Sequence, residues 1–277
     1  MEGQYHSLYE FYEAVKMPVE WQPRIKAECE KNGIDFLCTP TDAATADYLD
    51  ELGMEFFKVA AFELPDYPLL RHLGSKKKLV VLSCGMASVE EIEGAIAALR
   101  ESGCPEIVLL KCTSEYPAPF EELNLSLIPD MKQRFGLPVG FSDHTPGPFA
   151  PPLAVILGAR VIEKHFCVGR TPITAESHFS MTPDEFEEMV KNCNLALKAV
   201  GTGTYELTRA EKAAMGSRRS LFACKPIQKG ELFTAENVKS ARPSCGLSPQ
   251  YYDELIGKRA ACDISYAAPL SLEMIEK

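Results

Sequence analysis

Between about residue 34 and residue 200 the chain repeats one pattern: a short apolar run rich in β-branched or aromatic residues, a polar punctuation, then a stretch whose apolar residues recur at helical spacing. The runs are IDFLCT (34–39), EFFKVAA (55–61), LVVLSC (79–84), EIVLLKCTS (106–114), LPVGFSD (137–143) and RVIEKHF (160–166), so six strands are predicted. The segments between them carry helix-start signals. Ser88 with Glu91 three residues later makes a capping-box pattern ahead of Ile92, Ile96 and Leu99. Thr182, Pro183 and Glu185 open a helix whose Phe186, Met189, Val190, Cys193 and Leu197 share one stripe. Near-continuous apolar strands alternating with amphipathic helices imply a parallel sheet covered by helices, which a doubly wound sheet and a (β/α)8 barrel both satisfy.

The polar residues choose between them. Thr39, Lys58, Ser83, Lys111, Ser142, His144 and His165 sit at or just past the C-terminal ends of the predicted strands and are drawn from all six. A barrel builds its site from many strand ends around one rim, whereas an open sheet concentrates its chemistry at a switch point. An α/β fold of the TIM-barrel kind is therefore expected. A full barrel has eight strands, and ahead of the first predicted strand lie only two helical stretches, one around Phe11 and Tyr12, the other with Trp21, Ile25 and Cys29 ending near Gly33. The barrel is expected to be incomplete on its N-terminal side.

After Gly201 the pattern changes. GTGTYELTRAEKAAMGSRRS is polar and Gly-containing, and from Ser220 short strand-like runs alternate with turns punctuated by Pro226, Gly230, Pro243 and Pro249. The expected organisation is a barrel domain over 1–201, a linker over 202–217 and a small β-rich domain over 218–277.

Composition acts by exclusion. Hydrophobic content of 46% with 25% charged residues belongs to an ordinary globular protein and rules out disordered and fibrous classes. A net charge of -10 argues against a nucleic-acid or anionic-membrane surface, which normally calls for a basic patch. The ten cysteines are scattered singly, with no CxxC pair and no secretory start, so reduced thiols and a cytoplasmic location are expected. No Gly-rich phosphate loop, HExxH or GxSxG occurs, which removes support for nucleotide hydrolysis, zincin and serine-hydrolase chemistry.

Two residue pairs carry candidate chemistry. His144 and His165 each end a neighbouring strand, so their imidazoles are placed to converge on one rim point and hold a divalent metal; the alternative is two hydrogen-bonding strand-end histidines. Asp143 and Glu163 beside them would orient the rings or form rim ion pairs. Lys58 and Lys111 interrupt otherwise apolar strands. A buried ammonium needs a partner, so two lysines at equivalent places favour an anionic ligand over snorkelling side chains.

FFKVAAFE, VLSCGMAS, LLKCTSEYPAPFEELNL, GFSDHTPG and VIEKHF, followed by RRSLFACKPIQKGELFTAENV, ARPSCGLSP and ELIGKRA, resemble in order the sialic acid synthase family, from about residue 17 to the C-terminus. Within it, KCTSEYPAP, GTYELT and RPSCGLSPQYYDELIGKRA are most similar to the pseudaminic acid synthase branch, with the N-acetylneuraminate and legionaminate branches as alternatives. The resemblance implies a (β/α)8 barrel followed by an antifreeze-like (SAF, β-clip) domain. It implies a transferase that joins phosphoenolpyruvate to an N-acylated amino sugar, here a 2,4-diacetamido-trideoxyhexose, releasing phosphate. It implies a divalent cation, Mn2+ or Mg2+, on His144 and His165. Lys58, Thr39, Ser83, Ser114 and Ser142 match phosphoenolpyruvate-binding positions, and Glu63 and Tyr116 match sugar-side positions. Arg242 matches an arginine that reaches the sugar's N-acyl group across a domain-swapped homodimer.

Three departures stand out. Ala61 replaces a phosphate-binding serine, and Glu176 replaces a sugar-binding aspartate. The family's opening strand, with its AEIGxNHxG motif, and the lysine of its second strand have no counterpart, in agreement with the count of six strands. The expectation is a synthase lacking its N-terminal βα units. Two other classes compete: a non-catalytic dimer that binds sugar or phosphoenolpyruvate, and an aldolase using Lys58 or Lys111 as a Schiff base.

Overall fold

An apolar strand is stable only when its backbone is paired and both its faces are covered, and the first part of this chain meets both needs with alternating strands and helices. The computed structural model describes residues 6–171, 173–174 and 176–276. The chain divides into two compact units, Met1–Gly201 and Thr202–Lys277.

In the first unit, helices α1 (Leu8–Val15), α2 (Gln22–Lys31) and α3 (Ala43–Glu51) precede strand β1 (Phe56–Val59). There follow α4 (Tyr67–Ser75), β2 (Leu79–Ser83), α5 (Val89–Glu101), β3 (Ile107–Cys112), α6 (Leu127–Phe135), β4 (Val139–Asp143), α7 (Ala150–Ile156), β5 (Ile162–Lys164) and α8 (Pro183–Val200). The strands form one parallel sheet in the order β1-β2-β3-β4-β5, a curled half-barrel. Strand neighbours are sequence neighbours throughout, so every C-terminal strand end lies on the same rim.

Five of the six predicted strands form. The run Ile34–Thr39 takes no regular secondary structure and has no ladder partner among the described residues. Phe36 inserts into the core while Leu37 stays exposed. The run follows a strand pattern in its side chains, yet a strand also needs a paired backbone, and here the Cys38 N–H is spent on the Met54 sulfur at 3.4 Å.

The sheet has two faces of different character. Phe57, Val59, Val80, Leu82, Ile107, Leu109, Val139 and Phe141 pack against the helices in the main core. On the inner face a smaller cluster of Val81, Val108 and Leu110, flanked by Phe56, Leu79 and Val161, lines the barrel floor. The period of two along each strand then delivers Lys58, Ser83, Cys112, Ser142 and Glu163 to the inner face above that floor. The helices start where their capping sequences predict: Glu91 accepts from the Ser88 N–H at 2.7 Å, and Glu185 from the Thr182 N–H at 2.9 Å. Helix α6 ends at Gly136, whose φ of 64° is the left-handed cap conformation.

In the second unit, α9 (Arg209–Ala214) precedes an antiparallel pair, β6 (Ser220–Ala223) and β7 (Val238–Ala241), and α10 (Tyr252–Leu255). Its own core is built from Leu221, Ile227, Phe233, Val238, Leu255 and Leu270. The buried Ser220 hydroxyl accepts from the backbone of Cys245 and Gly246 at 3.0 and 2.9 Å.

Gly140 marks the closest approach within the sheet. A Cβ there would lie 2.4 Å from the Val161 carbonyl oxygen and 2.6 Å from a Leu110 methyl. Gly140→Ala is therefore expected to force β4 away from β5 and to lower stability by about 1–3 kcal/mol, the usual range for overpacking. Chemical denaturation of the two proteins side by side measures it.

Candidate active site

Strand β4 ends in Phe141, Ser142 and Asp143, and β5 in Ile162, Glu163 and Lys164; His144 and His165 follow directly. Their parallel register sets Ser142 beside Glu163 and Asp143 beside Lys164. Since side chains alternate, the two histidines leave the rim on the same inner side as Ser142 and Glu163. Their ring centroids are 5.3 Å apart at an interplanar angle of 73°. Tyr116 lies 4.2 Å from the His144 ring and 5.6 Å from the His165 ring, and Phe179 closes on His165 at 4.9 Å.

Each imidazole is oriented through Nδ1. That of His144 is 2.7 Å from the Thr113 carbonyl, a pure acceptor, so Nδ1 carries the proton and donates it. That of His165 is 3.0 Å from the Glu176 carboxylate. Nε2 of His144 faces the Ser142 hydroxyl at 3.4 Å on the inner side of the rim, and burial pushes the His144 imidazole below its ordinary pKa, against the raising effect of the Thr113 bond. Neutral rings with Nδ1 tied to an acceptor are the form in which histidine binds a metal. Among the described residues no set of three or more His, Cys, Asp or Glu side chains forms a complete cage. The donor set therefore fits a divalent cation held by two imidazoles, with oxygen ligands from substrate or water in its other positions.

Beside the rings lies a polar cluster. The Ser142 hydroxyl donates to Glu163 at 2.6 Å, and the Glu163 carboxylate is 3.7 Å from the Lys58 ammonium, whose other contact is the Val59 carbonyl at 2.8 Å. Lys58 is 6% exposed at its side chain while Glu163 is 41% exposed. Burial pushes the Lys58 ammonium below its ordinary pKa, with the Glu163 carboxylate opposing. Ser83 is buried on the same face, and its hydroxyl has no hydrogen-bond partner. An unpartnered buried hydroxyl is costly, so this one points to a ligand that supplies the acceptor.

The remaining sequence candidates are placed unevenly. Glu63 sits half-buried in the turn after β1 and contributes a favourable charge interaction to Lys58. Ser114 contacts the Cys112 thiol at 3.5 Å, and Tyr116 stacks on His144. Glu176, on the segment after β5, reaches His165 rather than standing clear of it. Thr39, in the unpaired Ile34–Thr39 run, forms no side-chain hydrogen bond to this cluster. Arg242 belongs to the second unit, where it lines a pocket of about 870 Å3 with Arg218 and Arg219.

The two lysines expected to act together are separated. Lys58 shares the inner face with Phe56, whereas Lys111 shares the opposite face with Leu109. Lys111 lines a cavity of about 200 Å3 under α5 and α6 with Ile92, Met131 and Phe135, its ammonium bonded to the Cys112 carbonyl at 2.8 Å and the Thr113 hydroxyl at 3.1 Å. Their likeness in sequence came from position along the strand, but alternation sends side chains one residue out of phase to opposite faces. Glu163, by contrast, is more central than its sequence context implied. Its signal was register: it stands opposite Ser142, a partner that only sheet pairing reveals.

Comparison with known proteins identifies the family and the fold. Residues 1–205 match the NeuB family and residues 218–276 match the SAF domain. The chain is 40% identical over 263 residues to pseudaminic acid synthase of Campylobacter jejuni, covering 95% of this chain and 77% of that protein. It is 39% identical over 234 residues to N,N'-diacetyllegionaminic acid synthase of the same species, covering 83% and 70%. The crystal structure of N-acetylneuraminic acid (sialic acid) synthetase from Leptospira borgpetersenii superposes with a TM-score of 0.71 at 31% identity, covering 76% of this chain and 75% of that one. With an incomplete TIM-type barrel, a SAF domain following it in the chain and relatives that are nonulosonic acid synthases, this chain belongs to the NeuB family of enzymes.

Proposed function

We propose that the protein condenses phosphoenolpyruvate with a 2,4-diacetamido-trideoxyhexose, giving a nine-carbon nonulosonic acid and phosphate as a pseudaminic acid synthase does. The observation that carries the proposal is the convergence on one rim of a buried ammonium, a buried partnerless hydroxyl and two oriented imidazoles: Lys58, Ser83, His144 and His165.

Phosphoenolpyruvate is a compact, multiply charged anion, and charge-assisted bonds are the strongest way to hold one. Lys58 supplies the cation and Ser83 a hydroxyl donor, with Ser114 near them; Ser142 would serve the same anion by turning its hydroxyl away from Glu163. An arriving anion also reverses the burial effect that depresses the Lys58 ammonium, so binding and protonation reinforce each other. Glu63, Tyr116 and Glu176 are assigned to the sugar, Tyr116 through its ring over the imidazoles. His144 and His165 would hold a divalent cation, Mn2+ or Mg2+, whose chemistry when bound is Lewis-acid polarisation of the sugar aldehyde. In the condensation C3 of the enol forms a bond to the aldehyde carbon, water adds at C2, and the C–O bond to phosphate breaks. By family likeness Arg242 serves the sugar's N-acyl group from a second copy in a domain-swapped homodimer, and the cytoplasm is the expected location. No described helix is long and apolar enough to cross a membrane.

The direct test is phosphate release from phosphoenolpyruvate with the diacetamido sugar, run beside the legionaminate and N-acetylneuraminate precursors. Turnover only with one of the latter would move the protein to another branch, and turnover with none would overturn the assignment. Removal of divalent metal by a chelator should abolish turnover, and Mn2+ or Mg2+ should restore it. Lys58→Met should lower kcat/KM for phosphoenolpyruvate by about 10- to 100-fold, the range for a lost hydrogen bond to a charged group. Lys111→Met, on the far face of the sheet, should leave that value within about twofold, and equal losses in the two variants would show that the faces have been assigned wrongly.

A further inference from the structure

Directly beneath the two histidines is an ion pair that the proposed chemistry does not use. Asp143 and Lys164 are register partners across β4 and β5, 2.7 Å apart, with side chains 0% and 1% exposed. The same carboxylate accepts from the Thr145 N–H at 2.9 Å and the Thr145 hydroxyl at 3.2 Å, and the Lys164 ammonium also donates to the Thr145 carbonyl. Both neighbours of His144 in the chain are thus tied to the residue that precedes His165. By strand alternation this knot lies on the side of the sheet away from the imidazoles.

A buried ion pair is a poor source of net stability, because desolvation of both charges offsets their attraction, but it specifies one geometry strongly. The bonds to Thr113 and Glu176 fix how each ring is turned. The backbone ladder holds the two strands only as far as Asp143 and Lys164, and the ring bonds leave open how the chain continues from there to each histidine. The Asp143–Lys164 pair with Thr145 ties the chain at the last ladder position and just past it, and is hence the contact placed to set how the two rings leave the strands.

We propose that Asp143, Lys164 and Thr145 form a positioning clamp that sets the spacing and aim of His144 and His165, and through them the affinity of the pair for a divalent cation. This rests on the reading of those two histidines as metal ligands.

Mn2+ titrated into the 277-residue chain, with free Mn2+ read by electron paramagnetic resonance, tests both claims separately. Binding should disappear in His144→Ala and in His165→Ala. The charge-free combination of Asp143→Asn with Lys164→Met leaves no unpaired buried charge and keeps an acceptor for the Thr145 N–H. It should fold and bind Mn2+ about 10- to 100-fold more weakly, as loss of outer supporting groups does elsewhere. Leu82→Ala, in the helix-side core, should lower the melting temperature yet bind Mn2+ as the parent does. Asp143→Glu, which keeps the pair but displaces the carboxylate by one methylene, should weaken binding about tenfold and decides the matter if the charge-free variant fails to fold. Parent-like Mn2+ affinity in the clamp variants, or an equal loss in Leu82→Ala, overturns the clamp while the ligand reading stands. Absence of Mn2+ binding in the parent, or parent-like binding in the histidine variants, overturns the ligand reading and the clamp with it.

Discussion

The ladder between β4 and β5 is the interaction on which the rest of the site depends. It sets Ser142 against Glu163 on one face and Asp143 against Lys164 on the other, and the next residue of each strand is a histidine. A slip of one residue in this register would send Glu163 and His165 to the helix side and Lys164 to the rim, since the side-chain period is two. Gly140 belongs to the same constraint, because only a residue without Cβ lets β4 lie this close to Val161.

Charge placement follows from that geometry. Lys58, Lys111 and Lys164 are all buried ammonium groups, and burial depresses each. They are accommodated in three ways. Lys164 is matched by a fully buried carboxylate, Lys111 by neutral oxygens, and Lys58 by a loosely placed, partly exposed one. Only Lys58 combines incomplete compensation with a position beside a partnerless hydroxyl and the imidazoles, and that difference separates a group waiting for an anion from one already satisfied. Burial pushes the Cys84 thiol up to about 12, which keeps it protonated and unreactive near neutrality.

Much of this was legible in the chain. Apolar runs marked five strands, capping boxes at Ser88 and Thr182 marked helix starts, and polar residues clustered at strand ends marked the rim, because each of these signals is local in sequence. The run Ile34–Thr39 shows the limit of local reading. Its alternation is that of a strand, but strand status depends on a neighbour that the run itself does not contain. The pairing of Lys58 with Lys111 failed for a related reason, since both lie near strand ends but in opposite phase.

The sequence by itself determined the fold class, the rim and the residue types gathered there, since hydrophobic period and turn chemistry act over a few residues and are written along the chain. Tertiary structure decided which of those residues meet. The approach of His144 to His165, the hub made by Glu163, the isolation of Lys111 and the buried Asp143–Lys164 knot all arise from inter-strand register and face. These are set when separate segments pack together, and no single segment encodes them.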